Sequence, residues 1–213
     1  MIGASMFEGV NASNGIGIGT AQVAVDPDLT FTPHTVEDTA AEKARYAEAV
    51  TKFIAQTNAQ IERMTKTVGE EAAAIMGAHI EFAEDEGIKE AVNGAIDGGT
   101  CVEQAVSDAY DMYYNMFLGM EDVLFRERAA DVADVKTGLL ADLLGKEVVD
   151  LSTLPENSVI VCHELTPSMT ADIDKDHVAG IVTETGGRTS HSAIIARALE
   201  IPAVLSVPNI TSE

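Results

Sequence analysis

The sequence predicts an α/β unit assembled from both ends of the chain, with an all-α bundle of helical hairpins inserted between its halves. Three observations carry this prediction. Short apolar runs bounded by turn residues, the texture of strands, occur only near the two ends. Helical spacing occupies the middle, from about Thr39 to Lys146. The composition, 46% hydrophobic with 5% aromatic and no Trp, suits helix faces packed by small residues better than an all-β sandwich. Read from texture, residues 1–35 and 147–213 form the discontinuous α/β unit and residues 36–146 the helical one.

The elements follow in order. Residues 6–25 are glycine-rich and then alternate apolar with small residues, as an opening strand does. Gly15, Gly17 and Gly19 invite a nucleotide-loop reading, but no strand precedes them, no helix signal follows, and the last glycine of G-x-G-x-x-G is missing. A glycine-bearing strand closely approached by a neighbour explains them better. Tyr46, Val50, Phe53, Ile54, Ile61 and Met64 then form one helical stripe. Gly98-Gly99 makes a turn, and Thr100 with Glu103 has the spacing of a capping box that opens a helix through Tyr113 and Met116. A further helix runs from about Arg126 to Leu144, with Gly145 placed to cap it. Helices joined by short turns pack as antiparallel hairpins. After Pro155, Val159–Cys162 and Ala179–Val182 read as buried strands, residues 191–200 as a helix, and Ala203–Leu205 as another strand. The chain stops before the last strands expected of such a unit, as a piece of a longer chain would.

Charge narrows the partners. With 35 acidic and 13 basic residues the net charge is -22, which repels nucleic acid phosphates and anionic lipid head groups. A basic protein partner fits better. So acidic a surface also suits very high salt, where screening cancels self-repulsion. Cys101 and Cys162 form no CxxC pair and read as reduced core residues. No apolar run nears the roughly 18 residues of a membrane span, and no basic-then-apolar signal opens the chain, so the expected location is the cytoplasm.

The segment Thr183 to Pro202 carries the chemistry. It follows a strand and opens a helix. Gly186 and Gly187 permit a tight turn and close approach to a ligand, while Thr189 and Ser190 are N-cap residues that leave His191 in the first helical turn. Free N–H groups and the positive end of the helix dipole favour an anion there. Arg188 can grip a phosphate through two donors, and the hydroxyls of Thr189, Ser190 and Ser192 can complete the shell. His191 could therefore accept a phosphoryl group, provided that a hydrogen bond to one ring nitrogen leaves the other unprotonated. The residues alone equally allow a surface or capping histidine. No companion stands at metal-ligand spacing from His191.

Gly-Gly-Arg-Thr-Ser-His, followed by Ile-Ala-Arg-Ala-Leu-Glu-Ile-Pro-Ala-Val, resembles the active-site signature of the Enzyme I family of phosphoenolpyruvate-protein phosphotransferases. Related segments occur in pyruvate phosphate dikinase and phosphoenolpyruvate synthase, so a mobile dikinase domain is one alternative. Gly69-Glu70-Glu71 leading to Ala78-His79-Ile80 and Glu84-Asp85-Glu86, Arg126 to Val132, and Leu165 to Thr170 resemble Enzyme I in order and spacing, with Asn14 where the family usually has proline. The resemblance implies a phosphohistidine swivelling α/β domain with an inserted helical subdomain that docks the phosphocarrier HPr. It makes His191 the phosphoryl acceptor, Thr170 the hydroxyl that orients its ring, and Arg188 part of the site, supported by Gly187, Thr189 and Ser190. It implies no cofactor in this fragment. Magnesium and phosphoenolpyruvate belong to a missing carboxy-terminal barrel, through which the full-length enzyme forms a homodimer.

The resemblance also places Glu70, Glu71, Met76, His79, Phe82, Asp85, Glu86 and Ile88, with Phe117 and Arg128, at the HPr interface. By themselves these residues are a charged helix face beside apolar groups, which solvent alone would satisfy. Acidic groups around an apolar centre would steer a basic carrier. His79 as a second phosphoryl site is disfavoured, since no glycine loop, helix-start hydroxyls or arginine surround it. A carrier-binding module with an idle histidine is the alternative from another functional class.

Overall fold

The computed structural model describes residues 5–149, 151–171 and 173–212, without the side chains of residues 71 and 72. The described residues fall into two compact units, one drawn from Met1–Asp26, Arg63–Ala73 and Val149–Glu213, the other from Pro27–Glu62 and Ala74–Val148. The helical unit thus takes in the segment from Pro27, while Arg63–Ala73 goes with the α/β unit.

The helical unit holds most of α1 (Thr39–Thr67), then α3 (Gly77–Glu84), α4 (Glu86–Asp97), α5 (Val102–Leu118) and α6 (Val123–Leu144). Helix α2 (Glu70–Ala73) lies with the other unit. Its core joins Tyr46 and Val50 of α1 to Ile88, Val92 and Ile96 of α4, Val106 and Tyr110 of α5, and Val132, Val135 and Leu139 of α6. Helices α5 and α6 make the most extensive pairing, as an antiparallel hairpin requires. The stripe on α1 divides its work. Tyr46, Val50, Phe53 and Ile54 serve this core, whereas Met64 is buried in the α/β unit.

Two helix ends deserve comparison with the sequence. Gly145 closes α6 in the left-handed conformation, φ 63°, as its position suggested. The capping box at Thr100 does not form. Cys101 is the N-cap of α5 and offers no side-chain bond, and the N–H of Val102 is instead satisfied by Glu42 Oε2 of α1 at 2.8 Å. Thr100 bridges Thr35 in an isolated antiparallel pair, which draws it out of capping position. Glu103 turns to Arg45 at 2.6 Å, and Arg45 also holds Glu42 at 2.8 Å.

The α/β unit is a five-stranded sheet of order β1-β5-β4-β3-β2. Strands β2 (Thr20–Ala24), β3 (Ser158–Cys162), β4 (Val178–Thr183) and β5 (Ala203–Leu205) are parallel, and β1 (Val10–Ser13) joins β5 antiparallel at one edge. Short α7 (Pro167–Thr170) connects β3 to β4, and α8 (His191–Ala198) connects β4 to β5. The single opening strand expected over residues 6–25 is two strands on opposite edges of the sheet. Gly15, Gly17 and Gly19 carry the chain between them. A Cβ at Gly15 would strike the Pro202 ring, one at Gly17 the carbonyl of Ala179, and one at Gly19 the carbonyl of Asn157. The close approach was correctly read; the strand was not, because the run crosses the sheet.

Both cysteines are free and buried, and burial pushes the Cys162 thiol up to about 12, which leaves no thiolate for chemistry. Among the described residues no helix is long and apolar enough to cross a membrane.

Candidate functional site

His191 is the first residue of α8, at the point where the chain leaves β4. The sequence builds this turn from side chains that bind main chain. Gly186 adopts φ 100°, a conformation that only glycine takes without strain. Its carbonyl accepts from the Ser206 hydroxyl at 2.5 Å. Ser190 is the N-cap: its hydroxyl donates to Gly187 O at 2.8 Å and accepts from the Ala193 N–H at 3.4 Å. His191 is thereby presented at the helix start, partly exposed, where the dipole favours an anion.

Three further ties hold the loop. Thr185 donates from its N–H (3.0 Å) and its hydroxyl (3.1 Å) to the carbonyl of His163 at the end of β3. Glu184 accepts from the hydroxyl and N–H of Thr211 (2.6 and 3.0 Å) and from His163 Nδ1 at 2.8 Å. The Thr211 hydroxyl, then His163, then the Thr211 N–H pull the Glu184 carboxyl down to about 2. Arg197 Nη1 donates to Arg188 O at 3.0 Å and to Ala12 O at 3.2 Å, pinning the loop to β1.

Thr170 lies 4% exposed at the end of α7, which packs against α8. Its hydroxyl donates to Pro167 O at 2.7 Å. That proton is committed, so the oxygen is left as an acceptor. Ser192 does not join an anion shell as expected. It is 2% exposed and donates to Leu165 O at 2.9 Å, in the connection between β3 and α7. Arg188, Gly187, Thr189 and Ser190 lie in the loop as read. Sequence reasoning missed Arg197 and Glu184 as supports. Both lie in the segment Thr183 to Pro202 that was singled out, but nothing in local spacing shows a side chain reaching back across nine residues.

The proposed docking residues fare unevenly. Met76, His79 and Ile88 are each 0% exposed, so a partner docking on the surface cannot touch them; Ile88 belongs to the helical core. His79 Nε2 meets Asp134 at 3.1 Å. Burial opposes charge on this ring, but the bond to Asp134 and the charges of Asp134 and Asp131 outweigh it and raise its pKa. Asp85 is the N-cap of α4, accepting from the Ile88 N–H at 2.9 Å. Phe82 and Phe117 pack edge to face with ring centres 5.5 Å apart. Glu86 is exposed beside Lys89 at 3.1 Å, Arg128 is half-exposed on Asp131 at 3.3 Å, and Glu70 is exposed on α2. The Glu71 side chain lies outside the described ones. Leu118, Val123, Leu124 and Phe125, exposed around the α5–α6 turn, were not singled out. The run Val-Leu-Phe directly after the capping Asp122 was their signal.

Comparison with known proteins agrees with this geometry. Residues 8–128 match the family model described as "PEP-utilising enzyme, N-terminal", and residues 154–213 the one described as "PEP-utilising enzyme, mobile domain". The chain is 42% identical over 209 residues to the phosphoenolpyruvate-protein phosphotransferase of Streptococcus equinus, covering 97% of this chain and 36% of that protein. With the enzyme of the same name from Enterococcus faecalis it shares 39% identity over 210 residues, again 36% of the relative. The chain thus spans about a third of the length of these relatives. Among solved structures, the NMR solution structure of Enzyme I (nEIt) superposes with a TM-score of 0.80 at 36% identity, over 97% of this chain and 85% of that one. The N-terminal domain of Enzyme 1 - Nitrogen shares the fold, with a TM-score of 0.66 at 23% identity. From its matched segments, its helical insertion and its histidine-bearing turn, the chain belongs to the Enzyme I family of PEP-utilising enzymes.

Proposed function

We propose that this chain is the part of an Enzyme I that carries a phosphoryl group on His191 and exchanges it with the histidine of HPr. The single observation that carries this reading is the placement of His191 as first residue of α8, in a loop shaped by Gly186 and capped by Ser190. Transfer from phosphorylated HPr breaks its N–P bond and forms one at His191. The attacking ring nitrogen must be unprotonated. A ring N–H of His191 directed at the Thr170 oxygen, whose own proton goes to Pro167, would fix that tautomer. Arg188 and the α8 N–H groups would then hold the transferred charge.

Docking of HPr is assigned to the helical unit, around the Phe82–Phe117 pair with Asp85, Glu86 and Arg128 at its rim. Exposed Leu124 and Phe125 supply apolar area of the kind an interface core needs. In this reading, phosphoenolpyruvate and magnesium are bound by the barrel of a full-length, homodimeric, cytoplasmic enzyme. Among the described residues no three His, Cys, Asp or Glu side chains gather as metal ligands.

Intact-mass measurement after incubation with phosphorylated HPr tests the proposal. One acid-labile phosphoryl group is expected, and none with phosphoenolpyruvate and magnesium alone. Binding of HPr without a mass change would instead make the chain a docking module with an idle histidine.

A further inference from the structure

The α/β unit contains a polar cavity of about 480 Å³, which His191 does not line. Its walls are Asn11, Ser13 and Asn14 from β1 and the turn after it, Arg188 from the loop, Arg197 from the last turn of α8 and Glu200 just beyond that helix. The chain has only 13 basic residues against 35 acidic ones, yet two arginines converge here. Neither has a carboxylate within ion-pair distance among the described residues. Guanidinium groups not paired with a carboxylate are available to an anion.

The two cations differ in role. Arg197 spends one nitrogen on the carbonyls of Ala12 and Arg188, which fixes its guanidinium, and its remaining N–H groups have no acceptor among the described residues. A fixed cation loses little entropy on binding. Arg188 is exposed, and its side chain makes no hydrogen bond among the described residues. Beside them, Asn11 Nδ2 donates to Asn14 Oδ1 at 3.3 Å, which leaves the Asn14 amide hydrogens and the Asn11 carbonyl for a ligand bearing hydroxyls. Glu200 is the one opposing charge on the wall.

We propose that this cavity binds a small phosphomonoester carrying hydroxyl groups: the phosphate meets Arg197 and Arg188, and the hydroxyls meet the Asn11 and Asn14 amides. The volume exceeds what phosphate alone fills, and the amides have no use for a bare anion. The site shares Arg188 with the phosphoryl chemistry proposed for His191 but does not include that histidine.

NMR titration of the 213-residue chain in low-salt buffer tests this, with glycerol 3-phosphate, glucose 6-phosphate, inorganic phosphate and glycerol as probes. Saturable shifts at the Asn11 and Asn14 side-chain amides are expected with the esters, at least several-fold tighter than with inorganic phosphate, and none with glycerol. Arg197→Lys should weaken ester binding roughly 10-fold, since the forked donors are lost. Glu200→Gln should tighten it several-fold by removing the opposing charge, an outcome that misfolding cannot mimic. His191→Ala should bind as the parent does, which separates this proposal from the phosphoryl-carrier reading. Non-saturating shifts, unchanged affinity in Glu200→Gln, or equal affinity for inorganic phosphate and the esters would each overturn the assignment.

Discussion

The helical unit and the α/β unit solve different problems with the same acidic sequence. In the helices, polar groups are drawn inward in pairs that hold elements together: Glu42 caps α5, Arg45 bridges Glu42 and Glu103, and His79 meets Asp134. In the α/β unit, side chains around the loop bind main chain, fixing one short turn: Ser190 on Gly187, Ser192 on Leu165, Ser206 on Gly186, Arg197 on Arg188 and Ala12. The first arrangement stabilises a large surface; the second presents one ring. The turn lies at the carboxyl ends of parallel strands, where α/β sheets place their sites.

The largest effect that would sharpen this contrast is His191→Ala. It should abolish phosphoryl acceptance from HPr, with melting temperature unchanged, because a partly exposed helix-start ring contributes chemistry and little core. A variant that still gains one phosphoryl mass would break the assignment of chemistry to the α/β unit. Next comes Leu139→Ala in α6. Leu139 is 0% exposed in the helical core, so truncation should cost about 2–5 kcal/mol. Hydrogen exchange should show protection lost first across α4, α5 and α6. Equal loss in β3, β4 and β5 would mean that the two units melt as one.

How much of this was legible in the sequence follows the same divide. Strands β3, β4 and β5, helix α8 and the Gly145 cap were readable because each is fixed by neighbours in sequence: an apolar run, a Ser N-cap, a glycine with positive φ. The turn bearing His191 was legible for the same reason. The Thr100 capping box failed because Glu42, far away in sequence, outcompeted it. The split of the opening strand failed because pairing to β5 on one side and β3 on the other is decided by the sheet. Met76, His79 and Ile88 were placed at an interface by resemblance, and neither resemblance nor the spacing on short helices reveals which side is covered.

A smaller effect concerns pH and belongs to the helical unit. His79 has a pKa raised in the fold, chiefly by Asp134 acting against burial. In the unfolded chain the ring deprotonates near its ordinary value of about 6.5. Its contribution is therefore fully present below that pH and is lost as pH rises through the higher folded value. Over that window the fold binds one proton more than the unfolded chain, so stability should fall by up to about 1.4 kcal/mol per pH unit. Denaturant melts between pH 5.5 and 8.5 measure it, and Asp134→Asn should flatten the slope. A slope of the opposite sign would mean that the ring is buried neutral.

The smallest effect returns to the site and separates orientation from chemistry. Thr170→Val keeps the shape of a buried side chain that is 4% exposed and removes the hydroxyl that binds Pro167 O at 2.7 Å. Stability should drop by about 1 kcal/mol, one neutral hydrogen bond, with the Pro167 carbonyl left wanting a donor. If that oxygen also fixes the His191 tautomer, transfer should slow by roughly 10-fold while the nucleophile survives. The two consequences have different readouts. A lost fold contact lowers the melting temperature, whereas a lost tautomer restraint slows transfer without removing the nucleophile. Thermal melting of the variant, beside rapid mixing with phosphorylated HPr, reads both. A melting shift with an unaltered transfer rate would leave Thr170 as a structural residue of α7 and return the orientation of His191 to the loop that presents it.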